Sequence, residues 1–207
     1  VISENTLTRP GYVFDGWNTV ANPTVQNPGS TFLADDFYQE PSSLVLYATW
    51  APIEYILVYD ANGGTGDTPQ DQLFTVETGT DVAAPVTGGN ALSKPGYLFK
   101  GWWNTAANGT GTRTYATGDH YSEPADLVLY AIWVEVGKVA LVYDANGAAG
   151  NIPSLQIGNS GSAFTFATPD STFKRSGYTF GGWNENSAGS GTSHSVASST
   201  NLSADLV

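Results

Sequence analysis

An eight-residue phrase occurs three times in this chain and constrains its architecture more than any other feature. It reads GYVFDGWN at Gly11–Asn18, GYLFKGWW at Gly96–Trp103 and GYTFGGWN at Gly177–Asn184. The copies lie roughly 80 residues apart, and a fixed period of this size is typical of tandem structural repeats. The sequence therefore predicts an array of small units rather than one large domain.

Two further phrases recur with the same period. YILVYDANGG (Tyr55–Gly64) returns as VALVYDANGA (Val139–Ala148), and SLVLYATW (Ser43–Trp50) returns as DLVLYAIW (Asp126–Trp133). Each is a run of β-branched and aromatic residues bounded by turn formers, which predicts a strand. Their apolar centres are continuous rather than alternating, so we expect strands that are buried on both faces in the middle of a sheet.

The order of these phrases predicts three repeats of unequal completeness. Residues 1–51 hold the C-terminal half of a unit, residues 52–135 a complete repeat, and residues 136–207 a repeat that lacks its last strand. We call these the first, second and third repeats. The linkers at Ala51–Pro52 and Val134–Lys138 are too short for independent tumbling, so neighbouring repeats should be stiffly related.

A short helix is predicted immediately before each eight-residue phrase. The segments ENTLTRPG, GNALSKPG and DSTFKRSG each open with a polar N-cap candidate. A basic residue, Arg9, Lys94 or Arg175, follows where the helix dipole favours a cation. The glycine that begins the phrase would then end the helix in the left-handed conformation.

The composition indicates cores that are built from aromatic rings. The chain has no Cys, so disulfides cannot supplement a small core, and 13% of its residues are aromatic. The predicted core residues are Tyr12, Phe14, Trp17, Tyr47, Trp50, Tyr97, Phe99, Trp102, Tyr130, Trp133, Tyr178, Phe180 and Trp183.

The charge balance excludes several classes of partner. Lys and Arg number 7 against 19 Asp and Glu, for a net charge of −12, whereas nucleic-acid binding needs a basic footprint.

No apolar run reaches the roughly 18–20 residues of a membrane span, so we expect no membrane insertion.

Candidate chemical sites are sparse. Asp60, Asn62 and Asp67 form part of a calcium-ligand pattern, but Asn-Gly after a strand is the usual signature of a tight turn. The two histidines, His120 and His194, fall in different repeats. Pairs of acidic residues have no nucleophile or oxyanion donor beside them in the pattern. We therefore expect no metal, no cofactor and no enzymatic activity.

Taken together, Tyr-Asp-x-Asn-Gly, Tyr-x-Phe-x-Gly-Trp and Leu-Tyr-Ala-x-Trp resemble the Listeria–Bacteroides repeat family, which includes the B-repeats of internalin-type surface proteins. The resemblance implies a mainly β (α+β) fold: tandem small β-grasp-like repeats, each a mixed sheet with one short helix, in an elongated array. The first and last strands of each repeat would lie side by side in parallel at the centre. The resemblance also implies an extracellular location at a bacterial cell surface.

Three functions are compatible with this pattern. The first is a structural spacer or stalk, whose partners are the neighbouring repeats of the same chain. The second is an adhesive module that binds a surface glycan or host protein through the Asn104–Asp119 loop. Trp103 should point away from Trp102 and be exposed. The candidate contact residues are Trp103, Tyr115, His120 and Tyr121.

The third function is a fibre subunit. The incomplete first and third repeats would each leave an open strand position with unpaired backbone. Chains could then self-associate into a filament by adding strands to one another.

Overall fold

The structure, a computed structural model, describes residues 1–2, 5–39, 42–105 and 114–206. Within these ranges the chain consists of strands and turns, and no helix forms, so the mainly β fold class is confirmed. The strands are β1 (Tyr12–Asn18), β2 (Thr31–Phe32), β3 (Tyr47–Pro52), β4 (Tyr55–Asp60), β5 (Gln72–Phe74), β6 (Thr80–Asp81), β7 (Tyr97–Trp103), β8 (Thr114–Tyr115), β9 (His120–Tyr121), β10 (Leu127–Glu135), β11 (Lys138–Leu141), β12 (Gln156–Asn159), β13 (Ala163–Thr165), β14 (Trp183–Asn184), β15 (Ser193–His194) and β16 (Ser199–Asn201).

The chain divides into two compact units. The first comprises Val1–Ile56, Leu73–Thr80 and Tyr121–Asp126. The second comprises Leu57–Gln72, Asp81–His120 and Leu127–Val207. The second unit thus holds most of the second repeat together with the third.

In the first compact unit, β1 lies between β2 and β3 and pairs antiparallel with both. Phe14 makes edge-to-face contacts with Trp17 and Trp50, with ring centroids 5.3 and 5.7 Å apart. Such pairs add to the stabilisation that burial of the rings provides.

The complete repeat forms a five-stranded sheet in the order β5-β4-β10-β7-β8. Strand β10 pairs in parallel with β4 and antiparallel with β7. The first and last strands of the repeat are therefore parallel neighbours at the centre of the sheet, as the resemblance implied. In the third repeat, a parallel bridge joins Leu141 to Leu206 in the same way.

The glycine inside the eight-residue phrase produces a bulge that places two aromatic rings on one face. On a regular strand, the side chains of residues i and i+3 point to opposite faces of the sheet. A bulge between them, which adds one residue, turns both side chains to the same face. In β7 this residue is Gly101, at φ +126°, and the Phe99 and Trp102 ring centroids lie 5.0 Å apart. Gly16 and Gly182 adopt a similar φ in the other copies of the phrase.

A polar cluster repeats inside the second and third repeats. In the third, the Tyr143 hydroxyl accepts hydrogen bonds from the Ala167 N–H at 2.8 Å and the Gln156 amide at 3.0 Å. Trp183 Nε1 donates to the Ala167 carbonyl at 2.8 Å. In the second repeat the Tyr59 hydroxyl likewise accepts from the Ala83 N–H, but it donates to the Gln72 side-chain carbonyl at 2.7 Å. Trp102 Nε1 donates to the Ala83 carbonyl, as Trp183 does to Ala167.

The predicted short helices are wrong. At two of the three positions the segment is extended and forms a β-bridge, Thr65 with Ser93 and Ala149 with Lys174. One helical turn closes few hydrogen bonds for the residues it orders, whereas each bridge satisfies two backbone groups in each partner. In the first two copies a proline also follows the basic residue, which disfavours the helical conformation there.

The basic residue and the phrase-initial glycine belong instead to a β-turn. In the second repeat the Tyr97 N–H donates to the Lys94 carbonyl at 3.0 Å, and Gly96 has φ +79°. This is the pattern of a type II turn with Pro95 at its second position. The Lys94 ammonium lies over the Tyr97 ring, 4.9 Å from its centroid, so the cation stabilises the ring rather than a helix end.

Four of the predicted core residues are exposed, which corrects that prediction for them. Tyr47 and Tyr97 are the first residues of their strands, and Tyr178 follows a turn, so their rings lie at the edge of a core. Phe180 lines an open cleft that is described below. The other predicted residues are buried or half-buried, with Trp102 and Trp133 among the most enclosed.

Candidate functional site

Three of the four candidate contact residues are inaccessible. Trp103, Tyr115 and Tyr121 are 2%, 5% and 7% exposed, so the prediction that Trp103 faces solvent is wrong. His120 is exposed, and its Nδ1 lies 2.7 Å from the Asp81 carboxylate. Of the predicted binding loop Asn104–Asp119, residues 106–113 lie outside the described part of the chain.

Trp103 is buried because the third repeat covers it. It packs in a cluster with Ile132 and Val134 of β10 on the side of the second repeat. The third repeat contributes Ala140, Val142 and Leu155. We call this cluster and its polar surroundings the joint. The side chain does point away from Trp102, but the face it reaches is an interface between repeats.

The joint explains why the strand sequences are continuously apolar. Strand β11 directs Val139 and Leu141 into the core of the third repeat, while Ala140 points into the joint on its opposite face. In β10, Ile132 and Val134 occupy the joint, and Trp133 packs within the second repeat against Phe99. Val139–Leu141 of β11 and Ile132–Val134 of β10 are therefore buried on both faces. In the LVLY centres the prediction is wrong, because Val45 and Val128 are 64% and 39% exposed.

Two polar contacts flank the apolar cluster. Lys100 of β7 forms an ion pair with Asp205, and each side chain is 25% exposed. The Thr114 hydroxyl donates to the Tyr143 carbonyl at 2.9 Å in a buried position. These contacts fix the orientation of the two repeats, because each polar group would otherwise lose its partner.

An open cleft of about 1070 Å³ lies beside the aromatic residues of the third repeat. Ala145, Ala148 and Phe180 line it. Their counterparts in the second repeat, Ala61, Gly64 and Phe99, all contact Trp133 of β10. The cleft therefore has the position of a last strand, and its volume is not in itself an argument for a ligand site.

The cleft also contains a small charged group. The His194 ring stacks on Phe166 with centroids 4.0 Å apart, and its Nε2 lies 2.8 Å from the Glu185 carboxylate. Hydrogen bonds from His194, and then from Thr192, lower the pKa of Glu185 below its ordinary value. The carboxylate is thus held in its charged form next to the ring.

A family model describes nearly the whole chain. The model of the Listeria-Bacteroides repeat domain matches residues 1–49, 55–132 and 140–207. The chain belongs to this repeat family. The three matched segments correspond to three Listeria-Bacteroides repeats in tandem, and the joint lies between the second and the third.

Two relatives come from Evansella cellulosilytica. One, described as a Gly-rich membrane protein, is 30% identical over 192 residues, which covers 88% of this chain and 20% of the relative. The other, described as a membrane protein, is 31% identical over 149 residues, covering 72% of this chain and 20% of the relative. The chain thus spans about a fifth of the length of these relatives. No solved structure matches the chain.

Two other kinds of functional feature are absent from the described residues. Across the described ranges, no three His, Asp or Glu side chains lie close enough together to hold a metal ion. In the same ranges, no helix has the length and apolarity needed to cross a membrane.

Sequence reasoning missed the residues that complete the joint and the polar clusters. Trp103 replaces an asparagine that the other two copies share, which was a signal that this copy has a special role. The Lys100 position holds Asp15 and Gly181 in the other copies, so its variation gave no such signal. Gln72 and Gln156 recur at matched positions, but an isolated glutamine in a strand is not a recognised structural signal.

Proposed function

We propose that this chain is a spacer or stalk segment of a bacterial extracellular or cell-surface repeat protein. Membership of the Listeria-Bacteroides repeat family supports the surface location, as does the description of two relatives as membrane proteins. The observation that carries the spacer role is the joint, in which a tryptophan and five aliphatic residues are shared by two successive repeats.

A spacer keeps its two ends a fixed distance apart only if the joints between its repeats resist bending. Each Å² of apolar surface that the joint removes from water contributes about 25 cal/mol, and the six residues of the cluster are each less than a tenth exposed. The buried Trp103 indole N–H has no hydrogen-bond partner among the described residues, which offsets part of this gain. The ion pair and the buried threonine hydrogen bond restrict rotation within the joint. Neighbouring repeats are then the principal partners of each repeat, and the proposal assigns no catalytic step to the chain.

The geometry gives less support to an adhesive binding module. That hypothesis depended on an exposed Trp103 with Tyr115 and Tyr121 nearby, and all three are buried. His120 remains accessible, but its ring already contacts Asp81. Screening the chain against glycan arrays and host-cell surfaces tests this alternative separately.

Small-angle X-ray scattering over a concentration series tests the spacer. We expect an elongated particle whose maximum dimension does not change with concentration. A compact particle would contradict the spacer role. A dimension that grows with concentration would favour the fibre instead.

A further inference from the structure

We propose that Lys100 and Trp103 form a docking face whose partner is the following repeat. Where Asn stands at the Trp103 position, its side chain bonds within its own repeat and the face does not dock on a neighbour. Two positions of one strand would then determine which neighbouring repeats are held rigidly together. This inference rests on the spacer role, because it identifies the residues that decide the stiffness of the array.

Trp103 is the apolar half of the docking face. It is the last residue of β7, and strand alternation directs it to the side opposite Trp102. There it meets Ala140, Val142 and Leu155, which are small or aliphatic and offer a surface into which an indole fits. The partner is therefore a repeat that presents aliphatic residues on the outer face of its first strand.

Asparagine at the equivalent position has a different task. In the first repeat the Asn18 amide donates to the Pro28 carbonyl at 3.0 Å, and its oxygen accepts from the Val20 N–H at 2.8 Å. In the third repeat Asn184 makes the same kind of contacts with Gly191 and Asn186. Each asparagine thus anchors the loop that follows it in its own repeat and offers no apolar surface to a neighbour.

Lys100 contributes the positive charge of the docking face. Its partner, Asp205, also accepts a hydrogen bond from the Ala140 N–H at 2.8 Å, so the acid is fixed at the start of the third repeat's parallel strand pair. Asp126 performs the same capping for Ile56 in the second repeat. In the first repeat, however, Asp15 occupies the Lys100 position, and an acid there would repel the capping acid of a neighbour.

The surfaces that a docking face would contact also differ between the second and third repeats. Ala140 and Val142 of the third repeat are 0% and 6% exposed, whereas the matching residues of β4, Ile56 and Val58, are only half-buried. Asp71 of the second repeat stands in the place of Leu155. The second repeat therefore keeps aliphatic residues at two of the three acceptor positions and has a charged residue at the third.

The first repeat contacts residues of the second through another feature. The Tyr12 hydroxyl donates to Glu77 at 2.7 Å in an exposed position, and Val76 lies close beside Gly11. The exposed hydrogen bond contributes less than a buried indole. These contacts involve other residues than the joint between the second and third repeats does.

Electron spin resonance distance measurements on the full chain test this inference. The chain has no Cys, so Thr87→Cys and Ser171→Cys give two unique label sites, at exposed positions of the second and third repeats. We expect one narrow distance distribution for the labelled parent. In K100D/W103N the narrow peak should be lost and replaced by a broad distribution.

Two further variants make the result decisive. K94D/Y97N changes the same residue types in the exposed turn of the same repeat and should keep the narrow peak. K100D alone alters a side chain outside the apolar cluster, so it should fold even if the double variant does not, and it should broaden the distribution by an intermediate amount.

The outcomes separate the two proposals. A broad distribution in the labelled parent would overturn the spacer role itself. A narrow distribution in the parent that stays narrow in K100D and in folded K100D/W103N would overturn the docking face and leave the spacer role intact. Equal broadening in K94D/Y97N would show that the effect is not specific to the joint.

Discussion

At the scale of single residues, one hydroxyl organises the interior of the third repeat. Burial raises the pKa of Tyr143, with the hydrogen bonds from Ala167 and Gln156 acting in the opposite direction. The hydroxyl therefore stays protonated at neutral pH and can serve as the acceptor for both donors. Its position links Gln156 of β12 to Ala167, which follows β13.

Replacing this tyrosine tests the cluster. Tyr143→Phe keeps the ring but leaves the Ala167 N–H without this acceptor and removes one of the two hydrogen bonds of the Gln156 amide. We expect the free energy of unfolding to fall by about 1–3 kcal/mol. Urea denaturation measures the change, and Tyr178→Phe, at a 70% exposed ring, should alter stability by less than about 0.5 kcal/mol. Equal effects of the two substitutions would contradict the assignment.

Asp170 gives a pH-dependent prediction. Hydrogen bonds from the Thr172 hydroxyl and N–H, and then from Asn151, lower the pKa of its carboxyl below the ordinary value. Its contribution to stability is therefore complete above the pKa of the unfolded chain and is lost as the pH falls through the lower folded pKa.

The Asp170→Asn variant should accordingly lose part of the acid dependence of stability. Urea midpoints measured between neutral and acidic pH would show a smaller decline for this variant than for Asp71→Asn, which removes another exposed carboxyl. If the urea midpoint of Asp170→Asn fell with pH as much as that of the parent chain, Asp170 would not be a source of the acid dependence.

The direction of a side chain could be predicted from strand alternation in the sequence. Its burial could not be predicted where that burial depends on contacts with another repeat. Alternation placed Trp103 opposite Trp102, which is correct. Its burial could not be predicted, because it depends on Val142 and Leu155, which approach only once two repeats have folded. The same holds for Lys100, whose partner lies about a hundred residues further along the chain.

At the scale of elements, the bulge in each eight-residue phrase does the most to shape the core. It brings Phe99 and Trp102 to one face and releases Trp103 to the other. A regular strand of the same sequence would bury one of the first two rings and expose the other. The glycine at the bulge is therefore a requirement of both the core and the joint.

Gly101→Ala tests the bulge. The added Cβ would come no closer than 3.8 Å to the Tyr115 carbonyl, so space is available, but φ +126° is strained for any residue with a side chain. We expect a loss of about 1–3 kcal/mol in the free energy of unfolding. Gly89→Ala, at a loop position without a positive φ, serves as the control and should cost under about 0.5 kcal/mol. Tolerance of Gly101→Ala would contradict the account.

The strands were predictable and the helices were not, for a physical reason. The phrases YILVYDANGG and DLVLYAIW carry strong local strand and turn signals, and they pair as the resemblance implied. In KPGY, the glycine and the flanking basic residue fit a helix end as well as a type II turn, and the proline alone favours the turn. The backbone partners at Thr65 and Ala149, which decide the outcome, lie more than 20 residues away.

At the scale of the whole molecule, the second and third repeats share one apolar cluster, one ion pair and one buried hydrogen bond. They are also parts of one compact unit. Repeat arrays gain stability from such nearest-neighbour interfaces in addition to the stability of each repeat. The central claim is that this interface makes two repeats move as one body.

Residual dipolar couplings of the backbone amides test this claim most directly. The chain is weakly aligned, and couplings from the second repeat and from the third are fitted separately to the structure. A rigid joint predicts that both sets fit one alignment tensor with the same magnitude and orientation. Two tensors of clearly different magnitude would show that the repeats reorient independently, and they would contradict the account.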